Sequence, residues 1–201
     1  MKKIVCFVAA AIMALTVNAG KPFGTGITVG AGYAMLHETC DVSGIDAANL
    51  HGFYLGGAYA YHFTNEMAIE PGLNFVFGMK SKDEDGVKNK STLLNVAIPV
   101  NFTYSFDLGD AQLTLLAGPT LDLGILAKSK VEYAGTSTSG SMFDGDGARQ
   151  RFNLYVGGGA RLSFGQFGVM ATYNYGLLNV YDIDNVSFKD SRITAGVTYS
   201  F

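Results

Sequence analysis

The chain ends with Arg192-Ile193-Thr194-Ala195-Gly196-Val197-Thr198-Tyr199-Ser200-Phe201, a run in which apolar residues alternate with polar or small ones. The odd-numbered residues would form one face, and the even-numbered residues the other. A period of two over this length indicates a β-strand with one apolar face. One strand is a weak signal, so the fold depends on whether the rest of the chain repeats the pattern.

Seven further segments repeat this alternation. They cover residues 25–36, 51–63, 67–78, 93–106, 111–125, 151–164 and 167–178. With the last run they make eight strands, and an even number lets a single-chain barrel close with both ends on one side. The chain is also rich in glycine (26 residues) and poor in charged residues (15%), which favours a β-barrel. We therefore predict an all-β fold, an eight-stranded antiparallel up-and-down transmembrane β-barrel.

The connections between these segments alternate in length. Short connections fall at 64–66, 107–110 and 165–166, and long ones at 37–50, 79–92, 126–150 and 178–190. This asymmetry is typical of barrels with short periplasmic turns and long extracellular loops. The long connections carry most of the charge, and we expect the Gly-, Ser-, Thr- and Asp-rich segment 126–150 to be mobile.

The first residues have the order of a secretory signal peptide. Lys2 and Lys3 precede an apolar run from Ile4 to Val17, and small residues follow. We expect residues 1–19 to be removed, which leaves residues 20–201 as one barrel domain. Cys40 is then the only cysteine, so no intramolecular disulfide can form, although an intermolecular one stays open. The formal net charge of −3 gives the chain no field to attract nucleic acid.

The charges within the strands show which face meets lipid. Glu70, Asp122, Arg161 and Arg192 all fall on the face opposite the apolar residues. A lone charge in the hydrocarbon layer costs roughly 2–4 kcal/mol, so this face should line the interior. We expect these four side chains to form a lumen polar network with several amides. The amides are Asn74, Asn95, Asn101, Asn153 and Asn174.

The apolar face carries aromatic residues at the strand ends, as interfacial girdles do. They are Tyr33, Phe53, Phe63, Phe77, Tyr104, Phe106, Phe164, Phe167, Tyr199 and Phe201. A soluble eight-stranded barrel such as a lipocalin is the rival fold, with its apolar residues inside. The polar face is too rich in glycine for a charged surface in water, which disfavours that rival.

Three stretches resemble the PorT-like outer-membrane β-barrel domain family of Bacteroidetes and, more distantly, the eight-stranded OmpA and OmpX type. They are Leu94-Asn95-Val96-Ala97-Ile98-Pro99-Val100, Ala117-Gly118-Pro119 and the segment 173–180. The resemblance implies residence in the cell outer membrane, contact with outer-membrane lipid, and insertion by the barrel assembly machinery. It also implies that Tyr199 and Phe201 form the assembly signal. It identifies a barrel and no activity.

No catalytic or metal site is predicted. His51 and His62 fall at opposite rims, and no Gly-x-Ser-x-Gly elbow is present in the sequence. Asp144-Gly145-Asp146-Gly147 and Asp182-Ile183-Asp184-Asn185 lack the spacing and the distal Glu of a calcium loop. No cofactor is expected either.

Three functions stay open at this point. A structural or surface-interaction role through the long loops, with a possible extracellular ligand, is favoured. A narrow gated channel or a secretion-accessory barrel is the alternative, with the lumen charges at its gate. A lipid A-modifying enzyme is the third, because some outer-membrane barrels act on lipid A.

Overall fold

The computed structural model describes residues 26–41, 48–84, 86–133, 136–145, 147–181, 183 and 186–201. The predicted signal peptide, residues 1–19, lies outside these residues. Ten strands lie within the described part of the chain. They are β1 (Ile27–Cys40), β2 (Ala48–Tyr59), β3 (Tyr61–His62), β4 (Met67–Glu84), β5 (Val87–Asp107), β6 (Gln112–Tyr133), β7 (Thr136–Ser141), β8 (Phe152–Phe164), β9 (Phe167–Gly176) and β10 (Phe188–Ser200).

Eight antiparallel wall strands close into a ring. β2 and β3 together form one wall strand, interrupted at Ala60, and both pair with β4. The order continues through β5, β6, β8, β9 and β10, and β10 pairs with β1 from Thr28↔Ser200 to Cys40↔Phe188. β7 pairs only with β6 and lies outside the ring. The predicted eight-stranded up-and-down barrel is confirmed.

The two faces of the wall differ as the alternation predicts. Outward side chains are large and apolar, and Phe53, Phe167 and Val197 are 58%, 68% and 63% exposed. A water-soluble protein would leave few such side chains in one contiguous band, whereas a lipid-facing wall requires them. No helix in the described residues is long and apolar enough to cross a membrane.

Two of the predicted long connections are wrong. β4 and β5 continue through most of residues 79–92 and form a hairpin that turns at Gly86, whose φ of +77° suits glycine. Residues 126–133 belong to β6 and residues 136–141 form β7, so much of 126–150 is a paired hairpin and not an irregular loop. Beyond the membrane both faces of a strand are polar, so the alternation stops although the backbone pairing continues.

Three consecutive glycines let the wall strands come close. A Cβ at Gly157 would lie 2.1 Å from the carbonyl oxygen of Tyr173, and one at Gly159 would lie 2.1 Å from that of Ala171. A Cβ at Gly158 would meet a third carbonyl from the other neighbour, β6, at 2.5 Å. The glycine run on β8 therefore permits a close approach of both neighbouring strands.

Candidate functional site

An ion pair crosses the lumen between Glu70 of β4 and Arg161 of β8. Arg161 Nη2 donates to Glu70 Oε1 at 2.6 Å, and Nη1 donates to Oε2 at 3.2 Å. Both side chains are buried, and β5 and β6 separate their strands in the wall. Each residue lies three positions from the end of its strand at a short turn, so the pair sits near the periplasmic mouth. A two-pronged pair of this kind fixes both side chains in one geometry.

A second ion pair joins Asp122 of β6 to Arg192 of β10. Arg192 Nη2 donates to Asp122 Oδ1 at 2.7 Å, and Asn95 Nδ2 of β5 donates to the other carboxylate oxygen at 2.5 Å. The Arg192 guanidinium lies over the ring of Tyr155, 4.7 Å from its centroid. The buried cation thus has both a carboxylate and an aromatic face as partners.

Asp190 extends this second pair toward the exterior. Its carboxylate accepts from the Tyr155 hydroxyl at 2.6 Å and from Asn153 Nδ2 at 2.8 Å. Arg149 Nη2 lies 3.6 Å from Asp190 Oδ2. Because Arg149 belongs to the connection between β7 and β8, this contact ties an exterior segment to the lumen wall.

Arg149 also binds Glu38 at the exterior end of β1. Arg149 Nη1 donates to Glu38 Oε1, and the guanidinium lies 5.6 Å from the ring centroid of Tyr181. Burial, with Glu38 nearby, raises the pKa of the Tyr181 hydroxyl, so the hydroxyl stays protonated and can donate. These contacts close one side of the exterior end of the barrel.

The other side of the exterior half is filled by apolar side chains. This buried cluster, which we call the apolar plug, consists of Ala34, Leu36, Leu50, Tyr54, Val76, Leu93, Ala97 and Ala127. Met142 and Phe143, from the connection after β7, pack against it. The exterior half of the lumen is therefore closed by a polar network on one side and an apolar plug on the other.

Two cavities lie below this plug. One of about 90 Å³ touches Glu70, Arg161 and Arg192, and the other, about 340 Å³, opens at the periplasmic mouth and also touches Glu70 and Arg161. The first ion pair therefore lies between the two cavities. The smaller one is lined by Tyr54 and Thr198, whose buried hydroxyls have no hydrogen-bond partner among the described residues. This cavity has room for a water molecule that could bind them.

The structure places the four charged residues and Asn74 of the predicted lumen network as follows. Glu70, Asp122, Arg161 and Arg192 are buried inside the barrel and form two separate pairs. Asn74 lines the smaller cavity, together with Glu70, Arg161 and Arg192.

Three charged lumen residues were missed from the sequence. They are Glu38, Arg149 and Asp190. For two of them the alternation along the strand could have predicted an inward side chain. Glu38 continues the inward register of β1, and Asp190 lies two residues before Arg192, on the same face of β10. Arg149 lies outside the strands, where alternation gives no information.

The C-terminal aromatic residues form a cluster at the periplasmic rim. The ring centroid of Tyr199 lies 5.1 Å from that of Phe167 and 4.9 Å from that of Phe201. The amide of Phe201 donates to the carbonyl of Ile27 at 3.0 Å, so the chain end is tied to β1. The placement gives Tyr199 and Phe201 a structural contact, while their role as an assembly signal stays a prediction.

β4, β5 and β6 continue beyond the plug and, with β7, make a four-stranded surface that we call the exterior sheet. It comprises residues 79–84, 87–92, 127–133 and 136–141. Side chains on it are largely exposed, and Tyr133 is 61% exposed. An ordered sheet, and not only irregular loops, is thus presented on the exterior side.

The apolar wall, the charge-paired lumen and the exterior sheet define a transmembrane β-barrel of the bacterial outer membrane. The chain belongs to the outer membrane protein beta-barrel domain family, whose model matches residues 4–201. The protein therefore resides in the cell outer membrane.

Several solved structures are similar to the chain. The attachment invasion locus protein Ail of Yersinia pestis is 20% identical, over 87% of this chain and 99% of Ail, with a TM-score of 0.49. Neisserial surface protein A is 16% identical, over 88% of this chain and 97% of its own, with a TM-score of 0.47. The N-terminal barrel domain of Pseudomonas aeruginosa OprF is 13% identical, over 88% of this chain and 99% of that domain, with a TM-score of 0.32. No curated protein matches the chain.

Proposed function

We propose that this protein is a surface-interaction protein, in which the barrel anchors the exterior sheet and the lumen carries no solute. The observation that carries the proposal is the closed exterior half of the lumen. The Asp122–Arg192 network and the apolar cluster occupy it from opposite sides. A conduit needs a continuous polar path, and eight strands leave an interior just wide enough for side chains to fill.

The exterior sheet supports the same proposal. Its strands keep regular pairing as far as Glu84↔Val87 and Tyr133↔Thr136, well past the apolar band. A paired sheet is already ordered, so it loses less conformational entropy when a ligand binds than a flexible loop would. A rigid, exposed platform is therefore suited to recognition outside the cell.

A narrow gated channel is the second candidate, and one observation favours it. The Glu70–Arg161 pair lies between the cavity open to the periplasm and the smaller cavity above it, and lines both. Parting this pair would lengthen the polar path, but the exterior plug would still block it. The geometry therefore favours the surface role.

A trimmed barrel tests the proposal. In the trimmed variant, residues 80–91 are replaced by Asn-Gly, a turn that closes a hairpin near the membrane. Intact cells carrying either form are compared for attachment to surfaces coated with defined polysaccharides and matrix proteins. We expect attachment by the full barrel and a loss of it in the trimmed form at equal surface amounts. Equal attachment by both forms, or ion conductance by the full barrel, would overturn the proposal.

Several finer assignments belong to the same proposal. The segment Leu94–Val100 supports a place in the PorT-like branch of the family. The order of residues 1–19 supports a signal peptide, and the rim position of Phe201 supports a role in recognition by the assembly machinery. A non-enzymatic role is supported by the histidines, since His37 is hydrogen-bonded to Asn49 and His51 to Tyr33.

A further inference from the structure

Four lysines share the outward face of the exterior sheet. Lys88 and Lys90 lie on β5, and Lys128 and Lys130 on β6. Lys90 stands directly opposite Lys130 in the register, and Lys88 stands opposite Glu132. Like charges directly opposite each other destabilise a sheet. The Lys90–Lys130 pairing therefore has a cost for folding, and an anionic ligand would offset the part that nearby carboxylates leave.

A bulge in β6 determines which way these lysines point. Leu94 pairs with Leu126, whereas Asn95 pairs with Gly124, so Ile125 is the extra residue. After this bulge the even-numbered residues of β6 face outward, in line with those of β5. The lysines therefore continue the lipid-facing side of the wall and do not point over the lumen.

The lysines begin where the apolar wall ends. Leu94 and Leu126 are the last apolar pair on this face, and Lys128 follows two residues later, opposite Thr92. At a rise of about 3.3 Å per residue, Lys128 lies about 7 Å beyond that pair along the strand, and Lys90 and Lys130 lie about 13 Å beyond it. Lipid headgroups occupy about 5–8 Å on each side of the hydrocarbon core. Lys128 lies at the level of the headgroups. Lys90 and Lys130 lie farther out, but the tilt of barrel strands shortens their height above the hydrocarbon, and their long side chains can reach back toward the headgroups.

The carboxylates on this face only partly neutralise the lysines. Glu132 Oε1 lies 2.5 Å from Lys130 Nζ and 4.0 Å from Lys90 Nζ, and Asp83 lies 3.8 Å from Lys88. The hydrogen bond from Lys130 and its charge lower the pKa of Glu132, so this carboxylate is ionised at neutral pH. Among the described residues of this face, four cations against two anions leave it positive, on a chain whose formal net charge is −3.

We propose that this lysine face binds the phosphate groups of anionic lipids in the outer leaflet. The phosphates of lipid A have the required charge and lie at the required level. Serine hydroxyls of β7 border the face, because Ser139 pairs with Lys130 and Ser141 with Lys128. These hydroxyls supply further donors to phosphate oxygens. Binding here holds lipid against this side of the barrel and does not depend on the surface-interaction proposal.

Spin-labelled lipids measure directly whether the barrel prefers phosphorylated lipid A. The full chain is reconstituted in phosphatidylcholine vesicles, and the motionally restricted fraction is compared for spin-labelled bisphosphorylated lipid A and for its dephosphorylated form. We expect the native barrel to prefer the phosphorylated form, and the preference to weaken as salt is raised. In Lys90→Gln/Lys128→Gln/Lys130→Gln we expect it to fall at least about fivefold, since each basic residue near an anionic surface contributes to binding.

Two further variants make the outcome decisive. Lys80→Gln/Lys82→Gln is the matched control, because these lysines occupy the other face of the same sheet, and it should keep the preference. Glu132→Gln removes a neutralising carboxylate and should strengthen it. An unchanged preference in the triple variant, or an equal loss in the control, would overturn the proposal. Binding of soluble heparin by the micellar barrel without any lipid A preference in vesicles would overturn it as well.

Discussion

Arg161 and Glu70 lie on wall strands that are not neighbours, and their side chains meet across the lumen in a two-pronged ion pair at 2.6 and 3.2 Å. The pair links β8 to β4 independently of the backbone ladder. It also marks the boundary between the open periplasmic cavity and the closed part of the barrel.

The first prediction concerns this pair. Glu70→Ala leaves the Arg161 guanidinium buried without its carboxylate, and we expect the unfolding free energy to fall by about 3–5 kcal/mol. Urea unfolding in lipid vesicles, followed by the mobility of unheated samples on gels, measures the change. Glu70→Gln combined with Arg161→Met removes both charges at similar volume and should recover most of the loss. A Glu70→Ala barrel as stable as the native one would show that the pair has no structural role.

The second prediction tests which face meets lipid. Val197 is 63% exposed on the outward face of β10. We expect Val197→Arg to destabilise the reconstituted barrel by about 1–2 kcal/mol, because the charge would lie in hydrocarbon between the bilayer midplane and the periplasmic rim. The same urea titration measures it, with Val197→Leu as the apolar control. A soluble barrel would tolerate the arginine, so an unchanged midpoint would contradict the assigned orientation.

The sequence predicts the membrane-embedded part of the fold well, because lipid on one side and a crowded lumen on the other impose a strict period of two. This is why Glu70, Asp122, Arg161 and Arg192 could be placed inside. Outside the membrane both faces of a strand are polar, so the extensions of β4, β5 and β6 left no alternation to detect.

Two other features could not be read from the sequence for different reasons. The bulge at Ile125 reverses the facing of later residues, and a regular alternation would have placed Lys128 inward. Arg149 reaches the lumen from a connection, so its contact with Asp190 depends on tertiary structure alone.

A third prediction concerns Arg149, which ties the connection after β7 to the lumen wall. Arg149→Ala leaves the carboxylates of Glu38 and Asp190 without this cation, and we expect the connection to detach from the barrel. Chymotrypsin should then cleave after Phe143 several-fold faster than in the native barrel. Lys88→Ala is the control, since Lys88 is exposed and lies on the exterior sheet. Equal cleavage rates would show that Arg149 does not secure the connection.

A fourth prediction concerns the chain end. Phe201 contacts Tyr199 and bonds to Ile27, but it is 48% exposed. We expect deletion of Phe201 to lower the amount of barrel in the outer membrane severalfold, while the protein refolded in detergent keeps nearly the native urea midpoint. Fractionation of cells measures the amount of barrel in the outer membrane, and refolding in vitro gives the urea midpoint. Unchanged outer-membrane levels would contradict a role in assembly.

The most direct measurement of the central claim is ion flux through the native barrel. Potassium efflux is followed from proteoliposomes in which protease protection and unheated gel mobility have verified insertion. A lumen closed by the Asp122–Arg192 network and the apolar cluster predicts efflux equal to that of protein-free vesicles. Efflux well above this level that changes with Glu70→Gln would show that the lumen conducts, and would contradict a barrel that acts only through its exterior sheet.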